Sequence, residues 1–393
     1  MTNEPLPPHL GLLQLFLKFL RFGCLAFGGP VAQIAMVRQS LVEEEHWISS
    51  ARFNRLLAVM QVLPGPEAHE LCVHMGILAR GRLGGLLAGL GFMLPGFILM
   101  LLAGWLYSTW VLGNGAIAIA LFGIQIVVLA IILRAVWRIG KHVLEDRLLW
   151  VLGFLSFAAT LAGVAFWIPL LASGLIYAFA SRRNAVLLIG VSAALLAWGL
   201  YSFGPIVAGP FQSTGKASVF ALFLAGLKGG LLTFGGAYTA IPYVRADTVG
   251  RGWLSDATFL DGVALAGTLP APLVIFATFT GYIVGGVHGA LAITAGMFLP
   301  AFAFSMILFE KLERIVENPA LHRLLNGVAA SVVGIIAATL AQLGWSTGER
   351  VSDPLAAAAI FGLGIAGTWW FRGRMAAPAL VVAGGLAGWL FTP

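Results

Sequence analysis

The chain has 393 residues, of which 60% are hydrophobic and only 10% are charged. Soluble domains carry roughly one-quarter charged residues, so this composition excludes an ordinary soluble protein. The formal net charge of +7 is small for this length and lies mainly in short polar stretches, which does not fit a nucleic-acid-binding surface. Apolar runs of about 16–25 residues without alternation indicate helices that cross about 30 Å of hydrocarbon. We therefore predict an all-α polytopic membrane protein.

The N-terminus and the cysteines support smaller predictions. The first segment, MTNEPLPPHLG, is short and polar, so we expect no cleaved signal peptide. Cys24 and Cys72 lie in apolar segments, and two cysteines are too few for a disulfide framework. No nucleophile–base pair, HExxH-type motif or phosphate-binding loop is recognisable, which argues against an enzyme. We expect no cofactor and no resident metal.

The sequence contains two diverged copies of one unit. Phe27-Gly28-Gly29 recurs as Phe234-Gly235-Gly236, 207 positions later. The matching positions are mainly glycine and proline, as expected when a backbone shape is preserved. Further pairs fall in register after small shifts of the offset: Pro64/Pro270, Pro66/Pro272, Gly76/Gly281, Gly84/Gly289, Gly91/Gly296, Pro95/Pro300 and Asp146/Asp353.

The repeat predicts a domain organisation. The first repeat covers residues 12–182 and the second covers 218–391, with one extra apolar segment at 184–203. Each repeat contains about six helical segments, so the linking helix brings the total to thirteen. An odd number of crossings before the second repeat turns it upside down in the membrane, which gives an inverted repeat.

Basic residues in the loops test this orientation. With the N-terminus in the cytoplasm, the inner loops contain the basic stretches 134–147, 245–251 and 311–323. The outer loops receive the acidic stretch 43–45 and the uncharged stretch 108–115. This positive-inside bias favours a bacterial-type inner (plasma) membrane protein with a cytoplasmic N-terminus and an external C-terminus.

Two kinds of helix break occur at matching positions of both repeats. The first is Phe27-Gly28-Gly29-Pro30 and its counterpart at 234–237; the second is Leu63-Pro64-Gly65-Pro66 and its counterpart at 269–272. Proline removes a helical hydrogen bond and constrains the preceding residue. Such breaks are packing kinks in some membrane helices, but at matched positions they point to a transporter's binding site. The segments either span the membrane or form re-entrant hairpins.

Basic residues accompany the breaks in both repeats. Arg21 and Lys228 occupy equivalent positions inside apolar segments, and Arg38 and Arg245 occupy equivalent positions at segment ends. The first pair either lies within the membrane or extends to its interface, and the second pair also fits solvated loops. Basic side chains beside broken helices suit a small oxyanion, because Arg offers a planar set of donors.

The stretch after Pro66 is ionisable in the first repeat alone. Glu67, Glu70 and His74 share one helical face, and His69 lies between them, whereas the stretch after Pro272 is apolar or neutral. Three interpretations remain open: proton-carrying groups of a coupled transporter, ligands of a divalent cation, or partners of Arg80 and Arg82. In the second repeat Asp261 is the notable acid, at the position of Arg55.

Several segments resemble the chromate ion transporter family in its long, two-domain form: FLKFLRFGCLAFGGPVAQIAMVRQSLVEEEHWIS, QVLPGPEAHEL, GRLGGLLAGLGFMLPGF, FGGAYTAIPYV and WLSDATFLDGVALAGTLPAP. The resemblance covers both repeats. It implies an inner-membrane exporter of chromate, with sulfate as an analogue, driven by the membrane gradient, and a thirteen-span topology with oppositely oriented halves. His69 and Glu70 depart from the pattern expected in the family. The residues it carries over are Phe27, Gly28, Gly29, Pro30, Gln33, Pro64, Gly65, Pro66 and Glu67.

Together these observations predict an antiporter that binds chromate or sulfate near the bilayer midplane, with Glu67, His69, Glu70 and His74 as proton-coupling groups. A divalent-cation exporter and a membrane protein without transport activity are the alternatives. Beyond the lipid bilayer we expect no nucleic-acid partner, and the sequence leaves open whether the protein forms a homodimer. The predicted substrate-binding residues are Arg21, Phe27, Gly28, Gly29, Pro30, Gln33, Arg38, Pro64, Gly65, Pro66, Lys228, Phe234, Gly235, Gly236, Arg245, Pro270 and Pro272.

Overall fold

The computed structural model describes residues 7–60, 63–111, 115–207, 217–234, 236–307, 319–371 and 375–391. Within these ranges the chain forms helices and turns, with no β-strand. The helices are α1 (Leu12–Cys24), α2 (Gly29–Arg38), α3 (Ser50–Met60), α4 (Glu67–Leu106), α5 (Gly115–Val143), α6 (Arg147–Leu161), α7 (Trp167–Ala178), α8 (Arg183–Val207), α9 (Val219–Leu231), α10 (Ile241–Thr248), α11 (Asp256–Thr268), α12 (Phe276–Ile307), α13 (Pro319–Gly348), α14 (Pro354–Trp370) and α15 (Ala376–Phe391).

The helix order confirms the predicted all-helical repeat architecture. Helices α1–α7 correspond to α9–α15, and α8 links the two sets. Non-helical backbone interrupts α4 at Arg80 and Gly81, and it interrupts α12 at the equivalent residues Gly285 and Gly286. Within the described residues each repeat shows seven α-helices where the sequence suggested about six segments, because the breaks divide longer apolar runs into short helices.

The Phe-Gly-Gly breaks form the tips of helical hairpins. Lys18 of α1 forms an ion pair with Glu45, which follows α2, so the chain reverses at the break between these helices. In the second repeat, Lys228 of α9 pairs with Asp247 of α10, with Nζ and Oδ2 separated by 2.8 Å. A 13-residue helix such as α1 is about 20 Å long, which is shorter than the hydrocarbon core. The chain therefore turns back at these breaks, as in the re-entrant alternative. The stretches 43–45 and 245–251 then lie on the face from which their hairpins enter, and not on the opposite face where the loop charges had placed them.

The Pro-x-Pro breaks also reverse the chain. Gly262 of α11 packs against the ring of Phe279 in α12, although the two residues lie on opposite sides of the Pro270–Pro272 break. At the equivalent break of the first repeat, the charge of Arg52 in α3 acts on the side chain of His74 in α4, so the two helices lie side by side. Each repeat therefore contributes two hairpins whose tips are the predicted breaks.

Glycines allow the two limbs of α4, and of α12, to cross at very short distance. A Cβ atom on Gly76 would collide with the carbonyl oxygen of Gly84, and the reverse substitution would meet the carbonyl of Gly76. Gly281 and Gly289 make the same mutual contact in α12. The glycine pairs that defined the repeat in the sequence therefore mark a backbone crossing that only glycine permits.

The chain divides into two compact units. The first comprises Met1–Ile131, Lys216–Glu313 and Arg350–Pro393, and it contains the described parts of all four breaks. In this unit the first half of α5 packs on α14 and α15. Gly123 lies directly against Gly384 and Gly388, beside a cluster of Ile126, Val127, Ile360 and Leu380.

The second compact unit comprises Ile132–Gly215 and Arg314–Glu349. Its centre is α13, which packs on α6 and α7 through the close glycine contacts of Gly334 with Gly153 and of Gly327 with Gly174. Asp146 caps α6 by accepting hydrogen bonds from the Leu149 amide (2.9 Å) and the Tyr177 hydroxyl (2.7 Å). The Tyr177 hydroxyl, followed by the Leu149 amide, lowers the pKa of the Asp146 carboxyl.

Apolar surface and helix length agree with a membrane protein. In the part of the chain that the structure describes, four helical segments are long and apolar enough to cross a membrane: Glu67–Val111, Ile117–Val143, Leu273–Ile307 and Leu321–Gly348. Large apolar side chains such as Leu355 and Trp370 are more than 80% exposed. Exposed apolar surface of this kind fits contact with lipid chains.

Candidate functional site

The break before α4 lies directly on the second repeat. Gly65 has a φ of 151°, and Pro66 forms the N-cap of α4. The Gly65 amide donates a hydrogen bond of 2.8 Å to the carbonyl of Thr233, one residue before Phe234. The Pro-x-Pro break of the first repeat is therefore joined, backbone to backbone, to the Phe-Gly-Gly break of the second.

Gln33 makes the reciprocal connection. Its Nε2 atom donates to the carbonyl of Ala26, just before Phe27, at 2.8 Å, and to the carbonyl of Ala271, between Pro270 and Pro272, at 2.9 Å. The side chain is 1% exposed, and its Oε1 atom is buried without a hydrogen-bond partner in the described structure. The amide of Gln33 thus ties the Phe-Gly-Gly break of the first repeat to the Pro-x-Pro break of the second.

Crossed contacts around these breaks obey a two-fold relation between the repeats. A Cβ atom on Gly96 would collide with the Cβ of Ala271, and a Cβ on Gly65 would lie 3.2 Å from the Cβ of Ala301. Residues 65 and 271 are equivalent, as are 96 and 301, so each contact is the image of the other. Reciprocal contacts of this kind are those of a pseudo-two-fold arrangement.

The ionisable stretch after Pro66 is buried in the first limb of α4. Glu70 is completely buried, and neither carboxylate oxygen has a hydrogen-bond partner in the described structure. Its Oε1 atom lies 2.5 Å from the place that a Cβ on Gly65 would occupy. The second repeat has Phe276 and Ala271 at these two positions. The absence of a side chain at residue 65 therefore leaves room for a carboxyl group that the second repeat lacks.

The neighbours of Glu70 are buried as well. Glu67 is 8% exposed, His74 is 2% exposed and His69 is completely buried. The His69 ring packs edge-on against Phe298 and Phe302, with centroids 4.9 Å and 4.8 Å apart. Within the described ranges, no group of three His, Cys, Asp or Glu side chains comes together in a way that could hold a metal ion.

The predicted basic residues are dispersed. Arg21 is exposed, whereas Lys228 pairs with Asp247, which also accepts from Arg251 at 3.2 Å. Arg38 contacts Glu43 at 3.2 Å. Arg245 forms a two-point ion pair with Asp256, at 2.7 Å and 2.8 Å. In this conformation Lys228, Arg38 and Arg245 are therefore paired with acids, and they take no part in the contacts that join the breaks of the two repeats.

The remaining predicted residues define the breaks themselves. Gly28 and Gly29 adopt positive φ angles of 88° and 78° at the start of α2, with Pro30 as its second residue. Phe27 and Phe234 are partly exposed, Pro64 is partly exposed, and Pro270 and Pro272 are buried. Gly236 has a φ of 129°. Gly235 lies outside the described residues.

A polar cluster around Asp261 joins side chains of both repeats, and of its members only Asp261 was singled out in the sequence. Asp261 accepts hydrogen bonds from Tyr107 (2.7 Å) and Gln125 (2.8 Å), and Gln125 in turn accepts from Arg350 (3.0 Å). The sequence contained one usable indication of the partners of Asp261, because Gln125 is the only polar side chain in the run from 115 to 133. A buried polar residue in an apolar helix requires a partner.

Comparison with known proteins identifies the family. The profile described as "Chromate transporter" matches residues 13–208, which contain the first repeat and the linking helix, and residues 220–389, which lie in the second repeat. This chain belongs to the chromate transporter family. It is 54% identical to the chromate transport protein of Pseudomonas aeruginosa over 396 residues, covering 100% of this chain and 95% of the relative. The predicted resemblance is therefore confirmed.

More distant relatives agree with this assignment. The chain is 29% identical to the probable chromate transport protein of Synechococcus elongatus, over 98% of this chain and 96% of the relative. It is 31% identical to the chromate transport protein of Cupriavidus metallidurans, over 84% of this chain and 82% of the relative. No solved structure matches the chain. Membership of a family of membrane transporters agrees with the expectation that the protein is not an enzyme.

Proposed function

We propose that this protein is a secondary transporter that exports chromate across the inner (plasma) membrane and thereby gives chromate resistance, with sulfate as an analogue. We further propose that the N-terminus is cytoplasmic and the C-terminus external, since this orientation keeps the basic stretches 134–147 and 311–323 inside. Support for chromate as substrate comes from the relatives named as chromate transport proteins.

The single observation that carries the proposed site is the meeting of breaks from both repeats. Gly65 bonds to Thr233, and Gln33 joins Ala26 to Ala271, so each Pro-x-Pro break is joined to the Phe-Gly-Gly break of the other repeat. Matched breaks in two repeats mark the substrate site of many secondary transporters. The first limb of α4, from Glu67 to the interruption at Arg80, begins at this region, and the positive end of its dipole favours an oxyanion. The predicted substrate-binding residues remain part of this proposal.

The acids at the start of α4 set a condition on binding. Chromate, like sulfate, is a tetrahedral dianion, and Glu67 and Glu70 lie in the first turn of α4. Two carboxylates there would repel the dianion. A carboxyl group that is buried without a partner is tolerated far better neutral than charged. We therefore propose that Glu67, His69, Glu70 and His74 couple transport to protons, with Glu70 as the principal proton carrier of an antiporter.

The test is uptake of radiolabelled chromate into inverted membrane vesicles under an imposed proton gradient. The native protein is compared with Glu70→Gln and with Glu145→Gln, a control acid exposed in the loop before α6. We expect the native protein and the Glu145→Gln variant to accumulate chromate, with sulfate as a competitor and zinc without effect. The Glu70→Gln variant should lose the dependence of uptake on the gradient.

Other outcomes would select an alternative. Zinc accumulation in place of chromate would identify a divalent-cation exporter, and no accumulation of either ion would contradict transport. Equal gradient dependence in native and Glu70→Gln protein, with chromate still transported, would remove Glu70 from the coupling mechanism and leave the substrate assignment intact.

A further inference from the structure

A polar cluster of three buried side chains and the exposed Arg350 joins four elements of the first compact unit. Asp261 lies in α11, Tyr107 follows the second limb of α4, Gln125 lies in α5, and Arg350 follows α13. Asp261 is 2% exposed, Gln125 is 3% exposed and Tyr107 is 7% exposed. Buried polar groups drawn from separate elements specify one packing arrangement, because each loses its hydrogen bonds if an element moves. We call these four residues the Asp261 clamp.

The hydrogen bonds of the clamp have a fixed direction. Arg350 has only donors, so its 3.0 Å bond makes the Oε1 atom of Gln125 the acceptor. The Nε2 atom of Gln125 must then face α11, where it donates to Asp261 at 2.8 Å and to the Ala257 carbonyl at 3.4 Å. The Tyr107 hydroxyl donates to the other carboxylate oxygen at 2.7 Å. The carboxylate of Asp261 therefore supplies the two acceptors that this arrangement needs.

The clamp holds both limbs of the hairpin whose tip is Pro270–Pro272. Asp261 fixes the first limb, α11, to α4 and α5. The ring of Tyr107 packs edge-on against Phe279 on the returning limb, with centroids 5.0 Å apart. Gly262, next to Asp261, lies directly beneath the same phenylalanine ring. Moving this hairpin away from α4 and α5 therefore requires the clamp to break.

Among the residues that the structure describes, the first repeat shows no equivalent of the clamp. The position of Asp261 is occupied there by Arg55 of α3, which is exposed. In transporters built from inverted repeats, the two halves exchange environments when access alternates between the two faces of the membrane. A restraint present on one hairpin alone therefore favours the state in which that hairpin is closed.

We propose that Asp261 is a positioning residue of the transport cycle: with Tyr107, Gln125 and Arg350 it holds the Pro270–Pro272 hairpin against α4 and α5, closing the substrate path on the second repeat's side. The role in alternating access rests on the proposed transport function, whereas the clamp itself does not. With the second repeat inverted, its hairpins enter from the external face, so the clamp keeps that face closed and the cytoplasmic face accessible.

The first experiment measures the clamp without transport. Purified full-length native protein, Tyr107→Phe and Tyr282→Phe are compared by hydrogen–deuterium exchange of the peptides that cover α11. Tyr282 is the matched control, because its ring packs against Gly104 of α4 at the same helix pair but is no part of the clamp. A hydrogen bond to a charged group is strong enough that its loss should speed α11 exchange about tenfold. Unchanged α11 exchange in Tyr107→Phe would overturn the proposal.

The second experiment measures the effect on access. Chromate KM is determined from each face of the membrane, with inverted and right-side-out vesicles. If the externally open state is rarely populated, chromate binds from outside with an apparent affinity reduced by that population. Tyr107→Phe weakens the clamp and should therefore lower the external KM about tenfold. The cytoplasmic KM should stay constant or rise, and Tyr282→Phe should match the native protein at both faces.

The two experiments separate the possible failures. In Tyr107→Phe, α11 could exchange faster while KM stays unchanged at both faces and only the maximal rate falls. That result would show a purely structural contact and overturn the positioning role of the clamp. Absence of chromate transport in the native protein would contradict the proposed function, and the exchange measurement would then decide the clamp by itself.

Discussion

At the scale of single residues, Gln33 uses both hydrogens of its amide on backbone carbonyls of opposite repeats. In this conformation it therefore has no donor left for an oxyanion. We predict that Gln33→Leu lowers the thermal unfolding temperature and abolishes chromate uptake, because buried groups that lose their donor cost about 1–3 kcal/mol each. Thermal unfolding in detergent and vesicle uptake are the measurements.

Gln39→Leu is the control for this prediction. Gln39 is exposed, and its side chain donates to the exposed side chain of Glu44, so its replacement should leave both properties close to native. A Gln33→Leu protein with native stability and native uptake would show that the two breaks do not depend on the Gln33 amide.

Lys228 allows a second prediction at this scale. Lys228 and Arg251 both pair with Asp247, and their side chains are similarly exposed, at 28% and 32%. Lys228 lies about 15 Å into α9, near the Phe-Gly-Gly break, whereas Arg251 follows α10. We predict that Lys228→Met reduces uptake from low chromate concentrations about tenfold, since it removes a charge that attracts the anion. Arg251→Met should stay within about twofold, because partly exposed ion pairs contribute little.

Equal losses in the two variants would mean that Lys228 serves only as a partner of Asp247. Uptake should be measured at several ionic strengths, because long-range attraction of an anion weakens with salt. An effect of Lys228→Met that does not change with salt would also argue against this role.

The residue scale shows how far the sequence could predict the site. Breaks at Pro64–Pro66 and Pro270–Pro272 follow from local chemistry, since proline and glycine alter the backbone wherever they stand. Gln33 entered the prediction through resemblance alone, and its bond to Ala271 depends on residues 238 positions apart. Asp247, the partner of Lys228, was not singled out, because an ion pair between helices depends on how they pack.

At the scale of elements, the sequence located the breaks but left open whether the chain continues or reverses after them. A proline or glycine ends a helix without determining the direction of the next one. The direction follows from packing, as in the ion pair of Lys18 with Glu45 and the contact of Gly262 with Phe279. The glycine pairs were visible in the sequence, and their function as crossing points of helix limbs required the structure.

These crossings support a prediction about stability. Gly84→Ala and Gly289→Ala would each place a Cβ atom against a backbone carbonyl of the facing limb. The limbs must separate to accommodate it, and overpacking of this kind typically costs about 1–3 kcal/mol. We predict a lower unfolding temperature and lower yield for both variants, measured by thermal unfolding of the purified proteins.

Gly190→Ala in α8 is the matched control, because a Cβ atom there would meet nothing within 4 Å. In an open helical position, alanine is favoured over glycine by up to about 1 kcal/mol. The control should therefore be neutral or slightly stabilising. If Gly84→Ala behaved in the same way, the limb crossing would tolerate a side chain and the repeat's glycines would need another explanation.

At the scale of the whole molecule, each compact unit combines helices from both repeats. In one unit α13 packs on α6 and α7, and in the other the first half of α5 packs on α14 and α15. These two groups of three helices are equivalent under the repeat. Internal similarity shows which residues correspond, but it cannot show which copy a helix packs against. The predicted boundaries at 12–182 and 218–391 therefore describe repeats of sequence and not packing units.

The relative orientation of the repeats leads to the last prediction. Asp146 and Asp353 are equivalent helix caps, of α6 and α14, and the residues just before them, Glu145 and Ser352, are exposed. An inverted repeat places equivalent loops on opposite faces of the membrane, with the basic stretch 134–147 inside and Ser352 outside. In a background with Cys24 and Cys72 replaced by alanine, single cysteines at 145 and 352 should therefore differ in their accessibility.

The measurement is labelling of intact cells with a membrane-impermeant maleimide. A cysteine at 352 should react in intact cells, whereas one at 145 should react only after the inner membrane is permeabilised. A parallel repeat would give both cysteines the same behaviour. Such a result would contradict the external placement of the Asp261 clamp, because the hairpins of both repeats would then enter from the same face. The pseudo-two-fold contacts between the breaks would survive that result, since two-fold symmetry can also relate parallel repeats about an axis along the membrane normal.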